Sequence, residues 1–163
     1  MAIPVTFTAG SVLEANQLNS NFTSVYSTYT AYTPTITGWT QGNATFDCRY
    51  AVTGDTVNAV GYFLFGSTSA VTATTLKVSL PVSGYTTTQN KSSGICTFND
   101  VSASVAVAGT VQQQTATESW FYWHDPETVP LAVRLESWVT SATLPFTFAT
   151  GDFVYWNISY QKA

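Results

Sequence analysis

From Tyr32 onward the apolar side chains return at every second position, and no later stretch carries a helical period. Alternation of this kind sends successive side chains to opposite faces of an extended strand. Each run ends in a tight turn rather than a crossover helix, so the strands must pair antiparallel. The clearest hairpin joins 44–52 to 56–65 through Thr53-Gly54-Asp55, where glycine supplies the positive φ angle. In its second arm Val57, Ala59, Gly61, Phe63 and Phe65 alternate with Asn58, Val60, Tyr62 and Leu64. The upper half of that arm is apolar on both sides, the pattern of a strand covered on two faces.

Further runs follow the same rule. Residues 32–37 form a first strand, with Pro34 confining it to an edge or a strand start. Residues 76–80 stop at Pro81, and 94–101 pair with 103–111. The aromatic run Trp120-Phe121-Tyr122-Trp123 ends at Asp125-Pro126. Short strands are expected at 133–139 and 145–148, and a second Thr-Gly-Asp, at 150–152, turns the chain into a last strand over 153–160. About eight or nine strands without intervening helices predict an all-β fold, an antiparallel β-sandwich of jelly-roll type, with an up-and-down or Greek-key sandwich as second choice.

Ahead of this lies a different period. Ser11-Val12-Leu13-Glu14 has the spacing of a capping box. Behind it Ala15, Leu18, Phe22, Val25 and Tyr29 fall at alternating intervals of three and four. The spacing predicts a short helix over 12–27 with a narrow apolar stripe. Isolated helices need about 12–15 residues even when Ala-rich, so the stripe must dock on its own domain or on copies of itself. The chain divides accordingly into 1–31, an arm and trimerisation or attachment helix, and 32–163, the β domain.

Of the 163 residues, 9% are charged, against about 25% in ordinary soluble domains. Thr and Ser fill the polar positions, and aromatics reach 15%. A surface this poor in Lys and Glu suits a large permanent assembly better than a free enzyme. The net charge of −4, with five Lys and Arg in all, offers no basic stripe for phosphate neutralisation, so no nucleic-acid partner is expected. No apolar run is long enough to span a membrane as a helix, so no membrane partner is expected. Met1-Ala2-Ile3-Pro4 lacks the start of a signal peptide, and folding in a cytoplasm is the expectation. There the two cysteines, Cys48 and Cys96, are expected as free buried thiols.

Chemistry is sparse. His124-Asp125-Pro126-Glu127 is the one place where histidine meets carboxylates, and it is more simply a turn. Several acids, among them Asp55, Asp100 and Asp152, stand at turns, and Glu118 and Glu136 have no assigned role. A glycosidase needs two carboxylates facing across a cleft, and nothing in the pattern pairs them. No phosphate loop, nucleophile elbow or zinc spacing occurs. No catalytic residue, cofactor or metal is therefore assigned. Arg49 and Arg134, in apolar strands, are expected to pair with acids or to reach a neighbouring subunit. Trp120, Tyr122 and Trp123 could stack against a sugar or cover a core and a subunit interface. Trp39, isolated after Gly38, is the exposed candidate.

The stretch from Phe7 to Phe22, with Gly10-Ser11-Val12-Leu13 followed by Gln17-Leu18-Asn19-Ser20-Asn21-Phe22, resembles the helix that opens many fibre and knob proteins of tailed bacteriophages. Tyr32-Thr33-Pro34-Thr35-Ile36-Thr37-Gly38, Arg49-Tyr50 and Val78-Ser79-Leu80-Pro81-Val82 resemble phrases of phage minor structural proteins. The resemblance covers roughly the first half of the chain. It implies a homotrimer with an N-terminal attachment element and an outward-facing β domain. Expected from it is a non-enzymatic virion protein, a trimeric surface knob that decorates or cements the capsid and contacts the major capsid protein. The alternative is a short tail fibre or receptor-binding protein that sits on tail proteins and recognises a host-surface glycan. A carbohydrate-active enzyme is the third reading.

Overall fold

The structure is a computed structural model, and it describes Ala15 and residues 28–72, 76–86, 92–123 and 145–163. Among these every named element is a strand: β1 Thr30–Ala31, β2 Ile36–Thr37, β3 Trp39–Thr40, β4 Thr45–Thr53, β5 Thr56–Leu64, β6 Ala70–Val71, β7 Lys77–Ser79, β8 Ser93–Asp100, β9 Val105–Gln113, β10 Glu118–Trp123 and β11 Phe153–Gln161. Nine of them form one sheet in the order β1-β4-β5-β11-β8-β9-β10-β7-β2, and β3 with β6 forms a small ribbon. All pairings are antiparallel. The all-β antiparallel class is as expected.

The sheet curls strongly. β5 and β10 stand four strands apart, which would separate them by about 19 Å in a flat sheet. Yet the rings of Phe63 and Phe121 lie 6.2 Å apart. The sheet has rolled until its inner face meets itself, and hydrogen bonding runs unbroken through all nine strands around the core. Its two edges are also consecutive in sequence. β1 pairs with β4 at one edge and β2 pairs with β7 at the other, and only residues 32–35 lie between them. Tyr32 N donates to the Cys48 carbonyl at 2.9 Å, and Ser79 N donates to the Thr35 carbonyl at 2.9 Å, so this segment spans the gap.

Two expected strands are corrected here. Residues 32–37 are not one strand: only Ile36–Thr37 is, as β2, because Pro34 has no N–H for a ladder, and the strand before it, β1, ends at Ala31. Residues 145–148 are not a strand; Phe146 and Phe148 instead pack against the core. Glycines permit the curvature of the sheet. At Gly94 β8 crosses β11 so closely that a Cβ would collide with the Asn157 carbonyl oxygen. The helix expected over 12–27 gains no support. Of its stripe only Ala15 and Tyr29 are described, both exposed and Tyr29 outside any helix, while Leu18, Phe22 and Val25 lie outside the described residues. The strand expected at 133–139 lies outside them too.

The hairpin of β4 and β5 closes as expected. Thr53 faces Thr56, and Gly54 alone of the two loop residues has positive φ, at 61°, which is the II′ pattern matched to strand twist. Gly151 does the same in the second Thr-Gly-Asp, with φ 93°. There the Asp152 carboxylate is buried and accepts from Ala149 N at 2.7 Å and from Val101 N at 3.0 Å. It pins the β8–β9 turn to the start of β11.

One inner row shows how the core is filled. Across β4, β5, β11, β8 and β9 the partners are Cys48, Gly61, Trp156, Cys96 and Gly109. A Cβ at Gly61 would fall inside the Trp156 indole, and one at Gly109 would press on Cys96 and Phe98. Small residues flank the large ring so that layers interdigitate at crystal-like density. The two cysteines stand on strands three places apart in the sheet order, free and buried, as expected. Burial pushes the Cys48 thiol up to about 12 and moves Cys96 the same way.

Candidate functional site

Strand β10 divides its aromatics by parity. Ser119, Phe121 and Trp123 point inward and are buried; Glu118, Trp120 and Tyr122 point outward and are half-buried. Opposite Trp120 stand Gln112 on β9 and Lys77 on β7, and the Lys77 ammonium lies 4.8 Å from the Trp120 ring centroid. That is cation–π range. Gln114 Nε2 donates to the Tyr122 hydroxyl at 2.7 Å and to Gln112 Oε1 at 2.6 Å. Burial raises the Tyr122 phenol above its ordinary value. The outcome is a strip of aromatic rings edged by amides and one ammonium, a chemistry suited to sugar hydroxyls and ring faces.

The other candidate residues are elsewhere. Trp39 is 7% exposed and belongs to the core, which corrects the expectation of an exposed ring. Gly38, with φ 93°, turns the chain so that Trp39 caps one end of the roll against Phe46, Phe63 and Phe65, at ring distances of 5.7, 5.7 and 4.6 Å. Trp123 is also in the core cluster. Of the four candidate aromatics, the structure brings together only Trp120 and Tyr122 on the outer surface.

Asp47, Asp55 and Asp100, like Asp152, have local work. Asp47 holds Arg49 at 2.9 Å on the outer face of β4, and Asp55 lies 3.5 Å from the Lys162 ammonium. Arg49 thus pairs with an acid, although it is exposed rather than buried. Asp100 accepts from Ser102 Oγ at 2.7 Å and Ala103 N at 2.9 Å, and these bonds hold its carboxyl below the usual range. Among the described residues no three of His, Cys, Asp and Glu gather as a metal site. His124, Glu127, Arg134 and Glu136 lie outside the described residues.

A second surface carries no motif that singles it out in the sequence. On the outer face of β5, β11 and β8, Tyr62 packs on Tyr155 at 4.9 Å and on Phe153 at 5.7 Å, beside Ile95. Tyr155 is 54% exposed and Ile95 71%. The signal is present in 56–65, where both faces are apolar, and in the parity of Phe153 and Tyr155 against Val154 and Trp156. What alternation alone does not supply is which strands stand side by side.

Comparison with protein-family models, with curated proteins and with solved structures finds no match.

Proposed function

We propose that this chain is a non-enzymatic structural protein of a tailed-bacteriophage virion, a homotrimeric surface knob that decorates and cements the capsid. The observation that carries the proposal is an uncharged outer face over β5, β11, β8 and β9, with exposed aromatic and aliphatic side chains, in a chain only 9% charged. A freely diffusing protein avoids such a face, whereas a subunit of a permanent assembly uses it. The phage-like phrases between residues 7 and 82 give the assembly its identity. In this reading the arm of residues 1–31 fastens the knob, and the curled sheet, its halves packed face to face as a jelly-roll-like sandwich, faces outward. The partners are sister chains and the major capsid protein. The protein folds in the host cytoplasm and ends on the virion surface. Its action is mechanical: internal DNA pressure must break extra buried contact before the shell opens.

The strip of Trp120, Tyr122, Gln112 and Gln114 favours a second reading, a short tail fibre or receptor-binding protein that stacks a host-surface glycan. Deleting the gene separates the two. Loss of heat or chelator resistance with normal adsorption supports cementing, and hundreds of copies per particle agree with it. Intact heads that no longer adsorb, with copy number a small multiple of three, replace cementing with the tail reading. Release of reducing sugar by the purified protein would turn both into the third reading, a carbohydrate-active enzyme.

A further inference from the structure

We infer that residues 30–37 form a releasable strap: they lift off the sheet as one unit while the other strands stay paired, and lifting uncovers the Cys48 thiol.

Pairing is the first reason. The strap holds one edge of the sheet through β1 and the other through β2, each only two residues long. Beyond these ladders come bonds from Tyr32 N to the Cys48 carbonyl, from Ser79 N to the Thr35 carbonyl, and from Thr35 N to Ser79 Oγ at 2.8 Å. The strands it touches have firmer partners. β4 is matched to β5 along all nine of its residues, and β7 to β10 along three. Lifting the strap therefore breaks no pairing among the remaining described strands. Segments with few buried contacts open locally at a fraction of the cost of global unfolding.

Burial is the second reason. Of the inward residues Tyr32, Pro34 and Ile36, only Pro34 is buried and the other two are half-buried, while Thr33, Thr35 and Thr37 are exposed. The Tyr32 hydroxyl is shut away from solvent yet finds no hydrogen-bond partner among the described residues. Its desolvation weighs against the closed form, and opening returns it to water. The far end of the unit is sharp. Gly38, with φ 93°, turns the chain, and Trp39 is locked among Phe46, Phe63 and Phe65. Gly38 is the hinge.

The place of Cys48 is the third. Ala31 stands opposite Arg49, so Tyr32 stands opposite Cys48. On its other side Cys48 faces Gly61, which has no side chain to shield it. Tyr32 is thus what closes the thiol off at the edge of the sheet. Cys96 has no such exit, because β11 and β9 flank it with Trp156 and Gly109. In the assembly reading, tension on the fastening arm reaches this strap first, but the inference does not need that reading.

The test is reaction of the full-length chain with N-ethylmaleimide in native buffer, each thiol followed by mass spectrometry of its own peptide. Cys48 is expected to react at least about 100-fold faster than Cys96, the gap between a local and a global opening. Its rate should change little in low urea, because a small opening exposes little surface, whereas Cys96 should follow global unfolding. Ile36→Ala, on the sheet edge away from Cys48, should speed Cys48 labelling about tenfold, since the strap moves as a unit. Val111→Ala, in the core outside the strap, should speed Cys96 labelling and leave Cys48 unchanged. Equal rates and equal urea dependence at the two thiols would show that the strap opens only with the whole fold, and would overturn the inference. Fast Cys48 labelling that Ile36→Ala leaves unchanged would assign it to fraying of β4 alone, which overturns it equally. Amide exchange gives a reading that needs no variant. The Tyr32 and Ser79 amides, bonded at the two edges, should share one opening, well ahead of the amides of β11; independent openings at the two would sink the strap as a unit.

Discussion

The two faces of β11 are made from one nine-residue run and do opposite things. Inward, Val154, Trp156, Ile158 and Tyr160 are all buried in the core cluster. Outward, Phe153 and Tyr155 are nearly as apolar, yet Tyr155 remains half exposed. Hydrophobicity alone does not separate them. The difference lies in neighbours: the inner residues are enclosed because the sheet curls round them, while the outer ones lie on the side away from the curl. Burial of a ring inside one chain stabilises the fold, whereas burial between chains stabilises only an assembly.

Breaking that contrast begins with adjacent residues. Trp156→Ala should cost about 3–5 kcal/mol in urea unfolding, the range for truncating a large buried ring. Tyr155→Ala, one position along, should change the unfolding of the isolated chain by only about 0.5 kcal/mol, as surface substitutions do. Equal losses at the two positions would mean that the outer face is already covered within one chain.

Next in size is Asp152→Ala. It strips two backbone N–H groups of a charged acceptor, and with about 1.5–3 kcal/mol for a bond to a charged group the midpoint should fall clearly. Amide exchange at Val101 and Ala149 should quicken in the same variant.

Alkaline pH probes the inside selectively. The Cys48 thiol is raised from 9.0 to about 12 and Tyr160 from 10.0 to about 12, both chiefly by burial. Unfolded chains release the thiol proton above pH 9 while the folded chain still holds it, so stability should decline as pH rises from about 9 toward 12. It should be full below about pH 9. Replacing Cys48 with Ala should flatten the first part of that decline in urea midpoints measured across the range.

The smallest effect concerns two polar residues on the inner face. Gln113 and Ser119 face each other on β9 and β10, wholly buried, and their side-chain polar atoms find no hydrogen-bond partner among the described residues. Ser119→Ala should therefore be neutral or stabilising by up to about 1 kcal/mol, because it removes a desolvated hydroxyl that makes no bond. A loss above that in thermal unfolding would show that the hydroxyl is satisfied in solution.

Much of the fold is legible in the order of residues alone. The II′ turn at Gly54-Asp55, the pairing of β8 with β9 and the parity of β10 all follow from local alternation and turn chemistry. The exposed aromatic face does not, because it joins Tyr62 to Phe153 and Tyr155, about ninety residues later. Trp39 escapes local reading for a related reason. Its setting between Gly38 and polar residues looks like a loop, but its partners Phe63 and Phe65 arrive from a distant strand.

The sequence by itself determined the class of fold, for strand alternation and turn glycines are properties of a few adjacent residues and need no partner to be expressed. Tertiary structure decided the rest: that Pro34 lets one short segment tie both sheet edges, that glycines at 61, 94 and 109 let the sheet curl around Trp156, and that four strands line up into one uncharged face. Those outcomes depend on which non-local strands meet, and that choice is made by burial summed over the whole chain rather than by any local signal.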